Sequence, residues 1–290
     1  MAMNDKTVVV TGANQGIGRV TAKELARMGA RVALVCRNAE KGQAVVREIE
    51  AAGGKAELVV ADLSIQDEVR KAGRELREKL ETIDVLVNNA GVLVTERRVT
   101  KDGIEETLAL NHLAYFLLTH ELLEPLTKAK SARIVNVSSR AHLRAKPNLD
   151  DIQFSRGYSM ITAYSHSKLL NVLFTYELAR RLEGTNVTAN CLHPGVIASG
   201  FAQTYGGFVA TLAKLARPFL MTTEEGAKTQ IYLASSPEVA GVTGRYFDRC
   251  KAVRSSSASY DVDTQKRLWE ISEKLVFVRD KSLWGTYAKA

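Results

Sequence analysis

The chain has 290 residues, of which 46% are hydrophobic and 25% are charged, as in an ordinary globular protein. Its formal net charge is +8, but acidic residues interleave with the basic ones and no basic and aromatic stripe indicates RNA binding, so nucleic acid is the weakest candidate partner. No run of 18 apolar residues or leader-like N-terminus is present, and three cysteines without paired spacing argue against a disulfide framework or a metal site. We therefore expect a cytoplasmic protein with reduced thiols, no bound metal and no integral membrane segment.

Short β-branched runs alternate with longer helical patterns through the first two-thirds of the chain. Strands are predicted over residues 7–10, 31–36, 58–60, 83–87, 133–137 and 186–191. Helices are predicted from a glycine-rich turn to residue 28 and over 39–52, 65–80, 104–128 and 164–182. This alternation predicts an α/β protein: a single domain spanning residues 1–290, whose doubly wound parallel sheet carries helices on both faces.

The pattern loosens after residue 195. Aromatic and leucine residues recur at spacings of 3 and 4 between Phe201 and Phe219, which predicts a helix weakened by two adjacent glycines. We interpret residues 196–221 as a lid over an apolar substrate. A core-facing or dimer-facing helix, or a peripheral membrane contact, remains open as an alternative. A last helix is predicted over 262–276, within a C-terminal helix and tail at about 260–290.

A glycine-rich turn separates the first strand from the first helix. Glycines permit a tight turn there and let backbone N–H groups approach a pyrophosphate at the helix N-terminus. A glycine cluster alone is a weak signal, but its position between a valine run and an amphipathic helix makes this one strong. The predicted cofactor-binding residues of the turn are Gly12, Asn14, Gln15, Gly16, Ile17 and Gly18.

The end of the second strand predicts which nicotinamide cofactor is preferred. An acidic residue there would bind the ribose 2′-hydroxyl, whereas an arginine would accommodate a 2′-phosphate. This strand ends without an acid and is followed by Arg37 and Asn38. We therefore expect NADP(H) rather than NAD(H), the alternative being that Arg37 is only a surface residue.

Other polar and small residues follow later strands, at the sheet edge where open α/β folds bind ligands. Turn chemistry alone could explain any one of them. The predicted cofactor-binding residues in these positions are Asp62, Leu63, Asn88, Ala90, Gly91, Pro194 and Gly195, with the last two near the nicotinamide.

Tyr164 and Lys168 stand four residues apart, on one face of a predicted helix. A free tyrosine has a pKa of about 10, and a lysine cation one helical turn away favours the phenolate. Such a phenol could give a proton to a carbonyl oxygen as hydride arrives, or take it from an alcohol in the reverse reaction. An exposed helical pair is the alternative interpretation.

Two further polar residues strengthen the interpretation of this pair. Ser139 ends the fifth strand, where its hydroxyl could hold a substrate oxygen, and Asn111 is an amide within a predicted helix. His166, inside the motif, is expected to be structural or on the surface. The segment 140–163 is either part of the substrate pocket wall or a surface excursion.

In their order along the chain these motifs resemble the short-chain dehydrogenase/reductase family over about the first 250 residues. The motifs are TGANQGIG at 11–18, DL at 62–63, NNAG at 88–91, Asn111, Ser139, YSHSK at 164–168 and PG at 194–195. The resemblance implies a single-domain Rossmann fold with bound NAD(P)(H) and a catalytic set of Asn111, Ser139, Tyr164 and Lys168. It further implies that Lys168 holds the nicotinamide ribose, that Asn111 supports a water-linked proton path to Lys168, and that Ser139 rather than Ser138 is the catalytic serine. Family members often pair through the helices that correspond here to 104–128 and 164–182, so the resemblance makes a homodimer a candidate assembly and leaves the oligomeric state open.

A narrower resemblance is to the retinol dehydrogenase-like branch, which includes WW-domain oxidoreductases. It rests on stretches such as VCRNAEKG at 35–42, NHLAYFLLT at 111–119 and LHPGVIASGF at 192–201. The branch implies NADP(H) and a lipophilic aldehyde, ketone or alcohol, and we expect a carbonyl reductase with such a small-molecule substrate. The alternative is an NADP(H)-binding sensor or scaffold without turnover.

Overall fold

A computed structural model describes residues 3–195 and 221–276. Its strands alternate with helices from the start of the chain, as the sequence predicts. The strands are β1 (Thr7–Thr11), β2 (Arg31–Cys36), β3 (Lys55–Val60), β4 (Val85–Asn88), β5 (Ala132–Val137), β6 (Val187–His193), β7 (Tyr246–Asp248) and β8 (Lys251–Val253).

Nine α-helices lie within the described ranges. They are α1 (Gly16–Arg27), α2 (Ala39–Ala51), α3 (Gln66–Lys79), α4 (Glu106–Leu108), α5 (Ala114–Glu121), α6 (Leu123–Lys128), α7 (Met160–Arg181), α8 (Thr223–Ser235) and α9 (Val262–Leu275). Short 3₁₀ helices cover Arg140–Arg144, Pro237–Val239 and Ser257–Tyr260.

The strands form one sheet in the order β3-β2-β1-β4-β5-β6-β7-β8. Every pairing is parallel except that of β7 with β8, which is antiparallel. The strand order reverses beside β1, between β1 and β4, and ligands bind outside the carboxyl ends of strands at such a switch point. The predicted doubly wound α/β fold is confirmed.

Each face of the sheet carries its own apolar core, because successive side chains of a strand point to opposite faces. Val8 and Val10 pack with α1, α2 and α8 on one face, through residues such as Leu25, Ile49 and Leu233. On the other face Val9 packs with α3, α5, α7 and α9. Trp269 of α9 stacks on Phe174 and meets Phe116 edge to face.

The predicted helix over 104–128 is broken into several pieces. A π-helical turn at Ala109–Leu113 joins α4 to α5, and α5 ends at Glu121 before α6 begins. π turns are rare and occur frequently at functional sites. The prediction of one continuous helix was therefore wrong in the region that contains Asn111.

The other differences are at boundaries or in short elements. α7 begins at Met160 rather than 164, β3 begins at Lys55 rather than 58, and β7, β8 and α8 have no predicted counterpart. The predicted lid at 196–221 lies outside the described residues except for Met221, and so does the tail from residue 277. Among the helices of residues 3–195 and 221–276, none combines the length and the apolar character needed to span a bilayer.

Candidate active site

The glycine-rich turn between β1 and α1 is tightly packed against the end of β4. Gly12 has φ +66°, and a Cβ there would lie 2.9 Å from the Cα atom of Ala90. A Cβ on Gly18 would lie 2.5 Å from the carbonyl oxygen of Gly12. Both positions therefore require glycine.

The same turn opens outward at Gly16, the first residue of α1. Gly16 has φ +56°, and a Cβ there would meet no protein atom within 4 Å. Gln15 at the N-cap makes no side-chain hydrogen bond to the helix, and the first turn carries no acidic residue. A helix N-terminus of this kind, with an open approach and no competing carboxylate, fits the pyrophosphate of a dinucleotide. Asn14 and Ile17 flank the opening and are half-buried.

Asn89, which the sequence did not single out, holds the turn in place. Its Nδ2 donates to the carbonyl oxygen of Thr11 at 2.8 Å, and its Oδ1 accepts from Gln230 of α8 at 3.2 Å. The Thr11 hydroxyl accepts the backbone N–H groups of Asn89 and Ala90 at 2.8 and 3.0 Å. These bonds fasten the end of β4 to the end of β1.

Arg37 and Asp62 lie together beyond the ends of β2 and β3. Arg37 Nη1 is 3.3 Å from Asp62 Oδ2, and the arginine side chain is 75% exposed. Burial opposes ionisation of Asp62, but hydrogen bonds from Ser64 and the Arg37 guanidinium outweigh it and hold the pKa of this carboxyl below its usual value. Arg37 thus reaches the cleft, and it keeps enough exposure to meet an anionic group.

Three other predicted cofactor residues have their side chains engaged elsewhere. Asn38 caps α2 through a hydrogen bond from the Lys41 N–H at 2.8 Å. Leu63 is buried in the core. Asn88 is buried and donates to Thr119 at 3.1 Å and to Asn136 at 2.9 Å, between β4, α5 and β5.

Tyr164 and Lys168 lie on α7 with the lysine amine beside the tyrosine ring. Lys168 Nζ is 5.6 Å from the centroid of the Tyr164 ring and donates to the Val137 carbonyl oxygen at 3.1 Å. Lys168 is 4% exposed, and this burial lowers the pKa of its amine to about 7. Tyr164 is half-buried, so its side chain retains access to the surface of the cleft.

The two serines at the end of β5 have different surroundings. Ser138 is buried and donates its hydroxyl to the Lys168 carbonyl oxygen at 2.7 Å, which ties β5 to α7. Ser139 is half-buried and begins the 3₁₀ helix Arg140–Arg144, where its Oγ accepts the Ala141 N–H at 3.2 Å. Accepting that bond leaves the Ser139 proton available for donation to another oxygen.

The π turn directs Asn111 toward the loop after β4. Its Oδ1 accepts the Val92 N–H at 2.7 Å, and its Nδ2 donates to the Val92 carbonyl oxygen at 2.8 Å and to Ser167 at 3.0 Å. A Cβ on the exposed Gly91 would lie 3.3 Å from Asn111 Oδ1 and 3.6 Å from Lys168 Nζ. Gly91, Asn111 and Lys168 therefore converge on one point of the cleft.

Asn171, also not singled out by the sequence analysis, joins the elements behind this point. Its Nδ2 donates to the carbonyl oxygens of Asn111 at 2.8 Å and Val137 at 3.2 Å. It is fully buried on α7, three residues after Lys168. The sequence did contain a signal for Asn171, since it is an amide within the apolar helical run at 169–174. The same kind of signal, an amide within a predicted helix, drew attention to Asn111.

The segment between Ser139 and α7 packs against both the helix and the loop after β4. Ile152 and Phe154 are buried, and the Tyr158 hydroxyl donates to the Val94 carbonyl oxygen at 2.9 Å. His166 is buried, and its Nε2 accepts the Asn148 N–H at 3.0 Å. This histidine was expected to be structural or on the surface, and the structure places it in the interior.

β6 brings Pro194 and Gly195 to the same sheet edge, at the end of the first described range. Gly195 has φ +101°, and a Cβ there would lie 2.4 Å from the sulfur of Met221. Predicted site residues thus surround one edge of the sheet. They lie at the ends of β1, β4, β5 and β6 and on α7, and Arg37 and Asp62 lie beyond β2 and β3 at the same edge.

Comparisons with known proteins show the family to which the chain belongs. The family model for short chain dehydrogenases matches residues 6–207. Retinol dehydrogenase 12 of Bos taurus is 42% identical over 276 residues, which cover 94% of this chain and 87% of the relative, and retinol dehydrogenase 14 of Mus musculus is 44% identical over 294 residues, with 94% and 86% covered.

Solved structures give the same result. A crystal structure of a Mycobacterium paratuberculosis protein superposes with a TM-score of 0.77 at 35% identity, over 95% of this chain and 94% of the other. A short chain dehydrogenase from Burkholderia cenocepacia, crystallised in complex with NADP, superposes with a TM-score of 0.70 at 28% identity, over 85% and 97% of the two chains.

Proposed function

Because this chain belongs to the short-chain dehydrogenase family, we propose that it transfers hydride between NADP(H) and a carbonyl–alcohol pair, with Tyr164 as general acid and base. The proposed physiological reaction is the reduction of a lipophilic aldehyde or ketone. The observation that carries the proposal is the pairing of Tyr164 with the buried amine of Lys168 on α7. Ser138, the residue before Ser139, ties the end of β5 to the same turn of the helix through the Lys168 carbonyl oxygen. A dinucleotide cofactor would supply the hydride, which no side chain of the protein can.

The chain's own residues would handle the proton and the substrate oxygen. Ser139 accepts a backbone N–H and keeps its own proton to donate, so it suits the oxygen of a carbonyl group. Tyr164 would give its phenolic proton to that oxygen as the oxygen gains negative charge. A proton on Lys168 favours the resulting phenolate, because the two groups are one helical turn apart.

Asn111 would act behind Lys168 rather than on the substrate. Its side chain is fully committed to Val92 and Ser167, so it fixes the loop after β4 against α7. Its backbone carbonyl oxygen faces Asn171, in the same buried region as Val137 and the lysine amine. We propose that this group of carbonyl oxygens keeps the amine in place and favours its protonated form.

The preference for NADP(H) rests on Arg37. The arginine is exposed beyond β2, and its present partner Asp62 is a single carboxylate at 3.3 Å. A dianionic 2′-phosphate would be a stronger partner for the guanidinium than this single contact, since it carries twice the charge of a carboxylate and can accept two parallel hydrogen bonds. Main-chain N–H groups at Gly16 and Gly18, together with Asp62, Ala90 and Gly91, would hold the rest of the dinucleotide.

A lipophilic substrate is supported by two exposed apolar side chains near the proposed catalytic residues. Ile161 precedes Tyr164 by three residues on α7 and is 63% exposed. Leu143 lies in the 3₁₀ helix that Ser139 begins and is 49% exposed. The names of the relatives, retinol dehydrogenases, point to the same class of substrate.

The first test is oxidation of NADPH and NADH by the purified protein across aldehydes and ketones of increasing chain length. We expect NADPH-dependent turnover that favours long apolar substrates and falls by about 10²- to 10⁴-fold in Tyr164→Phe. Tyr232→Phe is the matched control, because the hydroxyl of Tyr232 on α8 bonds Glu238 of the next 3₁₀ helix in an exposed contact.

The outcomes separate the parts of the proposal. Unchanged turnover in Tyr164→Phe would remove the tyrosine from its role, and loss of the chain-length preference in Ile161→Ser or Leu143→Ser would support the apolar contact. Tight NADPH binding without turnover on any substrate would favour a sensor or scaffold protein.

A further inference from the structure

A serine-rich segment far along the chain lies next to the proposed active site. Ser255 and Ser259 are buried, and their hydroxyls are 2.7 Å apart. Ser255 is also 2.7 Å from the Tyr176 hydroxyl on α7, and Gln265 on α9 donates to the Ser259 carbonyl oxygen at 2.7 Å. The compositionally biased run 255–259 is thus a packed turn anchored to two helices.

His142 connects this turn to Ser139. Its Nε2 accepts the Ser256 N–H at 3.1 Å, and its Nδ1 lies 2.6 Å from the Ser139 carbonyl oxygen. The histidine is fully buried, with its ring 4.6 Å from that of Tyr246. Because a backbone N–H can only donate, Nε2 carries no proton and Nδ1–H must be the donor to Ser139.

The His142 ring donates to Ser139, and the orientation of Ser139 matters for the proposed chemistry. The Ser139 carbonyl oxygen accepts two hydrogen bonds, from the His142 N–H at 3.1 Å and from the His142 ring. Its own Oγ is held by the Ala141 N–H. These bonds fix the backbone of Ser139 at its carbonyl group and at the turn that follows, so the Ser139 hydroxyl can adopt few directions.

We propose that His142 is a positioning residue, which fixes Ser139 toward the substrate oxygen by bridging it to the serine turn at 255–259. The inference rests on the role proposed above for Ser139 and adds the residues that orient it. His142 itself does not touch the substrate: both of its ring nitrogens are occupied by backbone groups of this chain.

Two substitutions at position 142 test the bridge. His142→Phe keeps a ring against Tyr246 and loses both hydrogen bonds, and we expect kcat to fall by about tenfold to a hundredfold, the cost of a small misplacement at a reacting centre. His142→Asn keeps a donor at the position of Nδ1, so it should recover most of the lost kcat. The dissociation constant for NADPH, measured by fluorescence without substrate, should stay the same in both.

A third variant tests the other half of the bridge without altering the histidine. Ser256 has φ −59°, which proline adopts, so Ser256→Pro removes the N–H donor with little change in backbone shape. We expect a severalfold loss of kcat and faster hydrogen exchange in the 140–144 helix. Ser257→Pro is the control, because it places proline at the first residue of the 3₁₀ helix, where no N–H bond within the helix is lost.

Ser139→Ala distinguishes the failure of this inference from failure of the proposed function. If Ser139→Ala keeps full turnover, the role of the serine is wrong. If Ser139→Ala is inactive while His142→Phe turns over normally, the bridge is wrong. If His142→Phe and His142→Asn lose kcat equally, a donor at the position of Nδ1 does not restore the placement of Ser139, and the inference is overturned.

Discussion

Asn171 donates its side-chain amide to the backbone carbonyl oxygen of Asn111 at 2.8 Å, joining the middle of α7 to the π turn before α5. The carbonyl groups of a π turn are displaced from the ordinary α-helical pattern and need partners of their own. Asn171 supplies one, and its second N–H reaches the Val137 carbonyl oxygen that Lys168 also contacts.

Asn171→Leu should therefore destabilise the protein and slow turnover together. The substitution keeps the branching and the number of heavy atoms of the side chain but leaves the buried Asn111 carbonyl oxygen without this donor, at a cost of about 1–3 kcal/mol in the free energy of unfolding. Urea unfolding and steady-state kinetics measure the two effects. An unchanged free energy of unfolding would mean that water or another donor replaces the amide.

The amine of Lys168 should make stability depend on pH. Burial lowers its pKa to about 7 in the folded protein, against 10.5 for a free lysine. Between these values the unfolded chain binds a proton that the folded protein does not, so the free energy of unfolding should rise with pH from about 7 toward 10.5, by at most about 1.4 kcal/mol per pH unit.

The measurement is urea unfolding of the cofactor-free protein at several pH values, compared with Lys168→Met. The methionine variant lacks the titrating group, so its slope should be smaller over this range. Equal slopes in both proteins would show that the lysine keeps its ordinary pKa.

Gly18→Ala should weaken binding of the dinucleotide. The new methyl group would lie 2.5 Å from both the Gly12 carbonyl oxygen and Asn89 Nδ2, so the turn would have to open. We expect at least a tenfold rise in the dissociation constant for NADPH, on the order of 1.4 kcal/mol. Gly53→Ala is the control: its Cβ meets open space at φ +81°, so the backbone is strained far from the cleft and only stability should fall.

Arg37→Ala should affect NADPH far more than NADH. Loss of a charge-assisted contact to the 2′-phosphate is expected to cost about 1.5–3 kcal/mol, or roughly 10- to 100-fold in affinity. Arg27→Ala, which removes another exposed arginine paired with an acid, should change neither affinity. Parallel losses for the two cofactors would contradict the proposed phosphate contact.

The sequence was most informative where local pattern and final environment agree. Runs such as Val8 to Val10 are buried on both faces of a parallel sheet, so their composition alone predicts a strand. β7 and β8 have three residues each, which is too short to produce a period. The break at Ala109–Leu113 is stabilised by bonds from Asn111 to Val92, 19 residues away, and no helical pattern contains that information.

Site prediction reached the same limit. Residue type and spacing identified Tyr164 and Lys168, because helical geometry relates positions four apart. The partners of Ser139 could not be found this way: His142 is close in sequence, but its other contact, Ser256, lies 114 residues further on. For Asn88 the sequence pattern suggested a cofactor-binding residue because it is polar and follows a predicted strand. Its side chain instead bonds Thr119 and Asn136 inside the protein.

The π turn also sets the rotational phase between the two ends of the broken helix. Each residue of an α-helix advances the side-chain direction by about 100°. The extra residue lets Leu108 and Phe116 both face the core while Asn111 points to Val92. Deleting Leu110 would permit regular α-helical bonding, but it would also turn the preceding helical residues by about 100° relative to α5. A regular helix here therefore cannot keep both the core contacts and the contact between Asn111 and Val92.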